Sequence, residues 1–297
     1  MTPRLRPYLL VAGTLLPLIV FGLLGARQLL RHESAAIERE AIGRARAAMS
    51  AVDAHLRNQV LALETLGASK SLEAGDIRAF HAESQRVLRT QHAWVNIGLA
   101  SNNRMQLFNA VYAFGRPEPF ATDDPAYSAA VRGARATFSN VATGTAVQSP
   151  TVRVRVPVSY ADEVRYVISA PLNLRQLAEL MQVQVLPEDW GISLVDREAR
   201  VIVRIPAVPA GAEEAESFRA AVRRAPEGWF EGHNREGKPT HTAYVTSQLT
   251  GWVVGVALPS PVVDVGKQRI VTMLVAGMLL SLGMGMALAW QLSGSPR

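Results

Sequence analysis

Apolar and polar positions follow three rhythms along this chain. Near each end lies an uncharged apolar run, residues 8–26 and 270–290, of 19 and 21 residues. As helices these extend about 28 and 31 Å, the thickness of a bilayer's hydrocarbon core. Both runs are therefore read as membrane-spanning helices. A cleaved leader is the rival reading of the first run. Its apolar stretch is longer than a leader needs, and Leu24 stands where a small residue is preferred before a cleavage site. The second rhythm steps by three, four or seven through Leu30, Ile37, Ala41, Ala45, Met49, Val52, Leu56, Leu63 and Leu66. One apolar stripe among charged residues predicts a long stalk helix over 27–66. The third rhythm is alternation. Val152, Val154, Val156 and Val158 face one way, and Arg153, Arg155 and Pro157 the other.

Between the spans the elements fall into two groups. Asp76 caps a helix over 77–90. Residues 94–99 and 105–112 form a hairpin around Ser101-Asn102-Asn103-Arg104. A short helix over 124–133 follows, then paired strands at 151–158 and 164–170 and a helix over 172–181. The second group has strands at 191–195, 201–205, 229–231, 241–246 and 252–258, with a helix over 213–224. The expected fold class is α+β, with a stalk helix and two tandem antiparallel units, each with helices to one side. The divisions are a cytoplasmic tail 1–7, span 8–26, stalk 27–66, membrane-distal unit 67–186, membrane-proximal unit 187–259, connector 260–269, span 270–290 and tail 291–297.

Composition and charge narrow the function. The chain has 297 residues, 48% hydrophobic and 19% charged, with no cysteine. Thiol nucleophiles, thiolate metal sites and disulfides are excluded. The formal charge of +6 comes from scattered arginines, and no basic run marks a nucleic-acid partner. Arginines flank both spans, so positive charge does not set the orientation. A long intervening segment translocates largely regardless of charge, which favours an extracytoplasmic domain between two spans. Charge alone also allows a cytoplasmic loop. No GxSxG, HExxH or P-loop is present, so a membrane-anchored hydrolase lacks its machinery. His55 lies on the stalk without the context of a phosphoacceptor. His233 and His241 have no third ligand at a convincing spacing, so neither metal nor cofactor is expected.

Several stretches together resemble the double Cache (dCache) sensor family, whose extracytoplasmic region stacks two PAS-like units. They are 94–109, 152–170, Trp190-Gly191-Ile192-Ser193-Leu194-Val195-Asp196-Arg197 with Val201-Ile202-Val203-Arg204, and Thr250-Gly251-Trp252-Val253-Val254-Gly255-Val256-Ala257-Leu258-Pro259. The resemblance spans residues 8–290. It implies a sensor of a small molecule in the distal unit, signalling through the second span. It also implies a cytoplasmic partner or module, such as that of a histidine kinase. The family's amino-acid-binding branch carries Arg-x-Trp-Tyr, where this chain has His92-Ala93-Trp94-Val95. An amino-acid ligand is thereby put in question. Seven residues follow Trp290, so the expected output lies in a longer parent, or the chain is a stand-alone receptor. An accessory role without a ligand is the alternative.

The candidate binding residues are Trp94, Asn96, Asn109, Tyr112, Asp124, Arg153, Arg155 and Tyr166. Arg153 and Arg155 sit roughly 7 Å apart on one strand face, suited to a carboxylate or phosphate. A solvent-facing strand is the other reading of the pair. Trp94 is a stacking surface or a core residue. Asn96, Asn109, Tyr112 and Tyr166 are polar or amphipathic residues on expected distal strands. Asp124 contacts an amine or caps a helix. Ser281 and Gly285 give a small-xxx-small spacing that suits a homodimer of spans.

Overall fold

The structure, a computed structural model, describes residues 6–116, 125–144, 148–182, 187 and 189–293. It divides into two units. One comprises residues up to Glu40 and from Pro259 onward, and the other runs from Ala41 to Leu258. The first apolar run falls on residues whose side chains are mostly outside the described set. Among the described residues no helix is long and apolar enough to cross a membrane.

Helix α1 (Arg6–Gly67) is unbroken across the expected boundary between span and stalk. Its stripe is buried where it enters the larger unit: Ala41, Ala45, Val52, Leu56 and Leu63 are at most 1% exposed. The short α2 (Lys70–Glu73) follows, capped by Ser69, and then α3 (Ile77–Thr90), capped by Asp76, whose carboxylate accepts from the Ala79 N–H at 2.9 Å. Ser69 and Ser71 hydroxyls donate to Glu83 at 2.5 and 2.6 Å and hold its carboxyl below its ordinary range. A lowered folded-state pKa stabilises above the unfolded value near 4.5, and the gain is lost as pH falls through the lowered value. Glu83→Gln is therefore expected to lower the melting temperature at pH 7, with the gap to wild type closing toward pH 3 in a thermal-unfolding series.

The distal sheet contains β1 (Gly98–Ser101), β2 (Gln106–Asn109), β3 (Thr137–Phe138), β6 (Arg153–Tyr160) and β7 (Glu163–Pro171), in the order β2-β1-β7-β6-β3. Strands β4 (Ala142–Thr143) and β5 (Pro150–Thr151) form a separate pair. Helix α4 (Pro125–Gly133) lies before β3, and α5 (Leu174–Gln182) after β7. One face of the sheet carries Leu99, Val154, Val156, Ile168 and Ala170, all at most 2% exposed. This face meets α1: Val158 and Ile168 lie 3.0 and 3.3 Å from where a Cβ on Gly67 would stand.

The proximal sheet contains β8 (Gly191–Val195), β9 (Val201–Ile205), β10 (Glu227–His233), β11 (Pro239–Thr246) and β12 (Val253–Pro259), in the order β10-β11-β12-β8-β9. Helix α6 (Glu216–Val222) covers one face, with Phe218 and Ala221 packed on Val195, Val201, Tyr244 and Val253. Glu227 of β10 receives a two-pronged ion pair from Arg46 of α1. Numbered along the chain within each sheet, the strands of both read 2-1-5-4-3. The two units therefore share a topology that no sequence repeat announces. Helix α7 (Ser260–Ser293) starts directly after β12, with no break between the expected connector and second span.

A tight joint links the units. The Asp196 carboxylate, 1% exposed, accepts from the backbone N–H of Val141, Glu198 and Arg200, each at 2.9 Å. Arg197 donates to the carbonyls of Phe138 (2.6 Å) and Thr250 (2.8 Å), and Asn140 donates to Glu198 at 2.9 Å. The Phe138 ring meets buried Trp252 edge-on, with centroids 6.0 Å apart. Gly251, at φ +72°, lets the chain pass under Arg197, whose Cγ lies 3.0 Å from a hypothetical Cβ there.

Two expected strands come out shorter. Residues 94–97 are irregular, and Trp94 makes only an isolated bridge to Leu172 before β1 begins at Gly98. The return strand ends at Asn109, where the Tyr112 N–H turns back to the Asn109 carbonyl.

Candidate functional site

The distal face turned away from α1 carries a polar row. Thr137 pairs with Arg155, Arg155 with Ser169, Ser169 with Gly98, and Gly98 with Asn109. Directly opposed residues of antiparallel strands share a face, so the row is continuous across all five strands. Arg153, two residues along β6, adds a second guanidinium to the same face. Gly98 opens the middle of the row: a Cβ there would lie 3.1 Å from Gln106 Nε2 and 3.2 Å from Asn109 Oδ1.

The sequence left Arg153 and Arg155 open between solvent and site. They are 5% and 1% exposed, so the solvent-facing reading is overturned. Helix α4 covers this face. Its Tyr127 packs on Ala100 and Val167, and the Arg155 guanidinium stands 5.3 Å from the Tyr127 ring centre. The Tyr127 hydroxyl donates to the Ser101 carbonyl at 2.7 Å. Burial pushes its pKa up to about 12, with Arg155 and Arg104 pulling the other way. Arg153 is held from behind: its N–H donates to the Ser139 hydroxyl and its carbonyl accepts from the Ser139 N–H, both at 2.9 Å.

Asn96 joins the row through Nδ2, which donates to Asn109 Oδ1 at 2.9 Å, while its own Oδ1 accepts from the Val111 N–H at 3.3 Å. Trp94 is 4% exposed, and its indole N–H is buried with no acceptor among the described residues. Tyr112 follows the row rather than lying on it. Its carbonyl accepts from His81 Nε2 at 3.0 Å, and Arg116 covers its ring at 4.0 Å. Tyr166 is on the other face, opposite Val158, with its ring against Tyr160 at 6.4 Å. The structure does not bring it to the row. It shares its face with Ile168 and Ala170, as alternation along β7 requires, and the register slips only beyond it, between Val158 and Ser159. Asp124 lies outside the described residues.

Sequence reasoning passed over Tyr127, Ser139, Gly144 and Ser169. Ser169 was out of reach, because pairing Ser159 with Val164 and continuing without a slip sets Ile168 opposite Arg155, and only the register shift after Val158 brings Ser169 there. Tyr127 carries no local signal beyond the apolar side of a short helix. Gly144 leaves space that the Arg153 guanidinium fills, and a Cβ there would overlap it. Because the obstructed atoms end a flexible side chain, Gly144→Ala is expected to leave stability within about 1 kcal/mol. The same exchange displaces the guanidinium, which should weaken an acidic ligand about tenfold in titration calorimetry, the loss of one charge-assisted hydrogen bond.

Two buried guanidinium groups, a tyrosine ring, a hydroxyl and two carboxamides form a face rich in hydrogen-bond donors, whose chemistry suits a carboxylate. Arginine supplies the fork, and burial strengthens each contact. No cluster of three or more His, Asp or Glu able to hold a metal is found among the described residues. The larger groove, about 790 Å³ between α1 and α3, is lined by Leu61, Ala62, Leu66 and Val87 among others. It is mostly apolar, whereas the buried row carries the guanidinium, hydroxyl and carboxamide groups.

No protein-family model matches the chain, and no curated protein matches it. Solved structures do. The ligand-binding domain of the Pseudomonas aeruginosa PAO1 amino acid chemoreceptor PctB, in complex with L-Arg, aligns at 14% identity and a TM-score of 0.59, over 75% of this chain and 95% of that one. The sensor domain of the V. cholerae histidine kinase DctB aligns at 12% identity and 0.54, over 76% and 98%. The ligand-binding domain of the Campylobacter jejuni chemoreceptor Tlp3, in complex with L-norvaline, aligns at 10% identity and 0.54, over 78% and 94%. At these identities the likeness is one of fold. The fold is that of sensor and ligand-binding domains, as the resemblance to the double Cache family implied.

Proposed function

We propose that this chain is the extracytoplasmic sensor part of a bacterial signalling protein, a histidine kinase in the first instance. It binds a small carboxylate-bearing molecule in the distal unit. The observation that carries this reading is the buried row of Arg153, Arg155, Ser169 and Asn109 beneath Tyr127. Two guanidinium groups on one buried sheet face, with a hydroxyl and a carboxamide beside them, offer the forked donors that a carboxylate accepts. The apolar runs at 8–26 and 270–290 support anchorage in the inner membrane by two spans. Ligand contact would shift β6 and, through the joint at Asp196 and Arg197, the strand β12 that leads into α7. A ligand does this only by binding two states with different affinity. The small residues of the second span support a homodimer.

The test is a thermal-shift screen of the full chain in detergent against mono- and dicarboxylates, amino acids and amines. A ligand at a hundred times its Kd adds about 2.7 kcal/mol of stability. A carboxylate hit that Arg153→Ala abolishes supports the reading. A cooperative unfolding transition that no carboxylate moves would transfer the assignment to an accessory role.

A further inference from the structure

The proximal unit repeats the distal arrangement on a smaller scale. Arg204 pairs with Ser193, and Ser193 with Gly255, giving a polar row across β9, β8 and β12. One pair of residues along, the same face is apolar, where Val195 opposes Val253 under Phe218. Phe218 also closes over the row: its ring lies 2.7 Å from where a Cβ on Gly255 would stand. Beneath it is a cavity of about 40 Å³ lined by Ser193, Arg204, Glu214, Thr240 and Thr242.

These side chains are sequestered yet under-used. Ser193, Glu214, Thr240 and Thr242 are 6–9% exposed. None of the three hydroxyls is hydrogen-bonded to another described residue. Arg204 Nη1 stands 3.6 Å from Glu214 Oε1, beyond hydrogen-bond reach, and has no other partner among the described residues. Buried polar groups are ordinarily satisfied, so Arg204 Nη1, enclosed and unbonded beside three hydroxyls, marks a place where another molecule completes the bonding.

Size and charge select that molecule. The cavity is about three times the ~10–15 Å³ that holds one water and falls well short of the ~150 Å³ that admits benzene, so about three non-hydrogen atoms fit. Arg204 and Glu214 cancel in charge, so an ion gains no net attraction. A planar group that accepts from Arg204 and donates to Glu214 satisfies both, with the hydroxyls taking its remaining positions. An amide does this with one carbonyl oxygen and one N–H. We propose that the proximal unit holds a second ligand site, for a small uncharged amide such as a primary amide or urea. The proposal stands on the proximal residues alone and does not rest on the distal reading.

The test is saturation-transfer NMR of formamide titrated against the full chain in lipid nanodiscs, with sodium formate and ammonium chloride as charged controls. Saturable formamide binding is expected, with a Kd no tighter than about 0.5 mM, the ceiling for three non-hydrogen atoms. Thr242→Val and Ser193→Ala should each weaken it about fivefold or more. Arg155→Ala should leave it unchanged. Absence of saturation overturns the proposal. So does binding that survives both hydroxyl deletions, which leaves a cavity holding water only. Loss in Arg155→Ala instead would assign the signal to the distal row and overturn the second site.

Discussion

Asp196→Ala is expected to destabilise the protein by about 3 kcal/mol, read as a shift in the midpoint of chemical denaturation. The carboxylate is 1% exposed and accepts three backbone N–H groups at 2.9 Å. Removing it strands buried donors at about 1–3 kcal/mol each, and water reaches some of them at the exposed turn. For a unit of this length the loss lowers the melting temperature by roughly 6–12 °C. Asp196→Asn keeps one oxygen but turns an NH2 group toward a donor, so it should recover only part of the loss. A second effect separates this site from an ordinary buried carboxylate. Of the three donors, Val141 belongs to the distal unit, while Glu198 and Arg200 belong to the proximal turn. The alanine variant should therefore split one calorimetric transition into two. A single sharp transition with wild-type midpoint would refute this account of the joint.

Arg155→Ala is expected to abolish the stabilisation produced by the carboxylate ligand, and Arg155→Lys to reduce affinity about 10- to 100-fold in titration calorimetry. Lysine keeps the charge but loses the planar fork and the stacking over Tyr127. An affinity retained in the lysine variant would show that Arg155 acts only as a charge. Tyr166→Phe serves as the contrast. Its ring packs on Tyr160 across the sheet from the row, and its loss should leave affinity unchanged.

Much of this arrangement was legible in the chain. The stripe from Ala41 to Leu63 is buried as its spacing required, because steps of three, four and seven hold one side of a helix against a sheet. Alternation separated Val154 and Val156 from Arg153 and Arg155 correctly. It could not say which face met solvent, since a face is buried by what lies over it, and α4 arrives from elsewhere in the sequence. Trp94 was read into a strand that the structure starts at Gly98, because the bend at 95–97 leaves no trace in an apolar alternation. Tyr166 was chosen for its amphipathic side chain on an expected strand, and alternation with Ile168 and Ala170 sets it on the face away from the row. The Asp196 turn was visible only as a hairpin. Its three acceptor contacts depend on backbone groups, which sequence does not distinguish.

The backbone character of these contacts bears on how such a fold diversifies. Asp196 and Arg197 grip the distal unit through the Val141 N–H and the Phe138 carbonyl, atoms that every residue but proline supplies. Side chains around Arg153 and Arg155 can therefore change with the ligand while the attachment stays intact. A foreign distal unit grafted onto residues 187–297 needs only the same backbone path at 138–141 to be held. The side chains of the polar row and the backbone attachment at 138–141 are, in this chain, free to change separately.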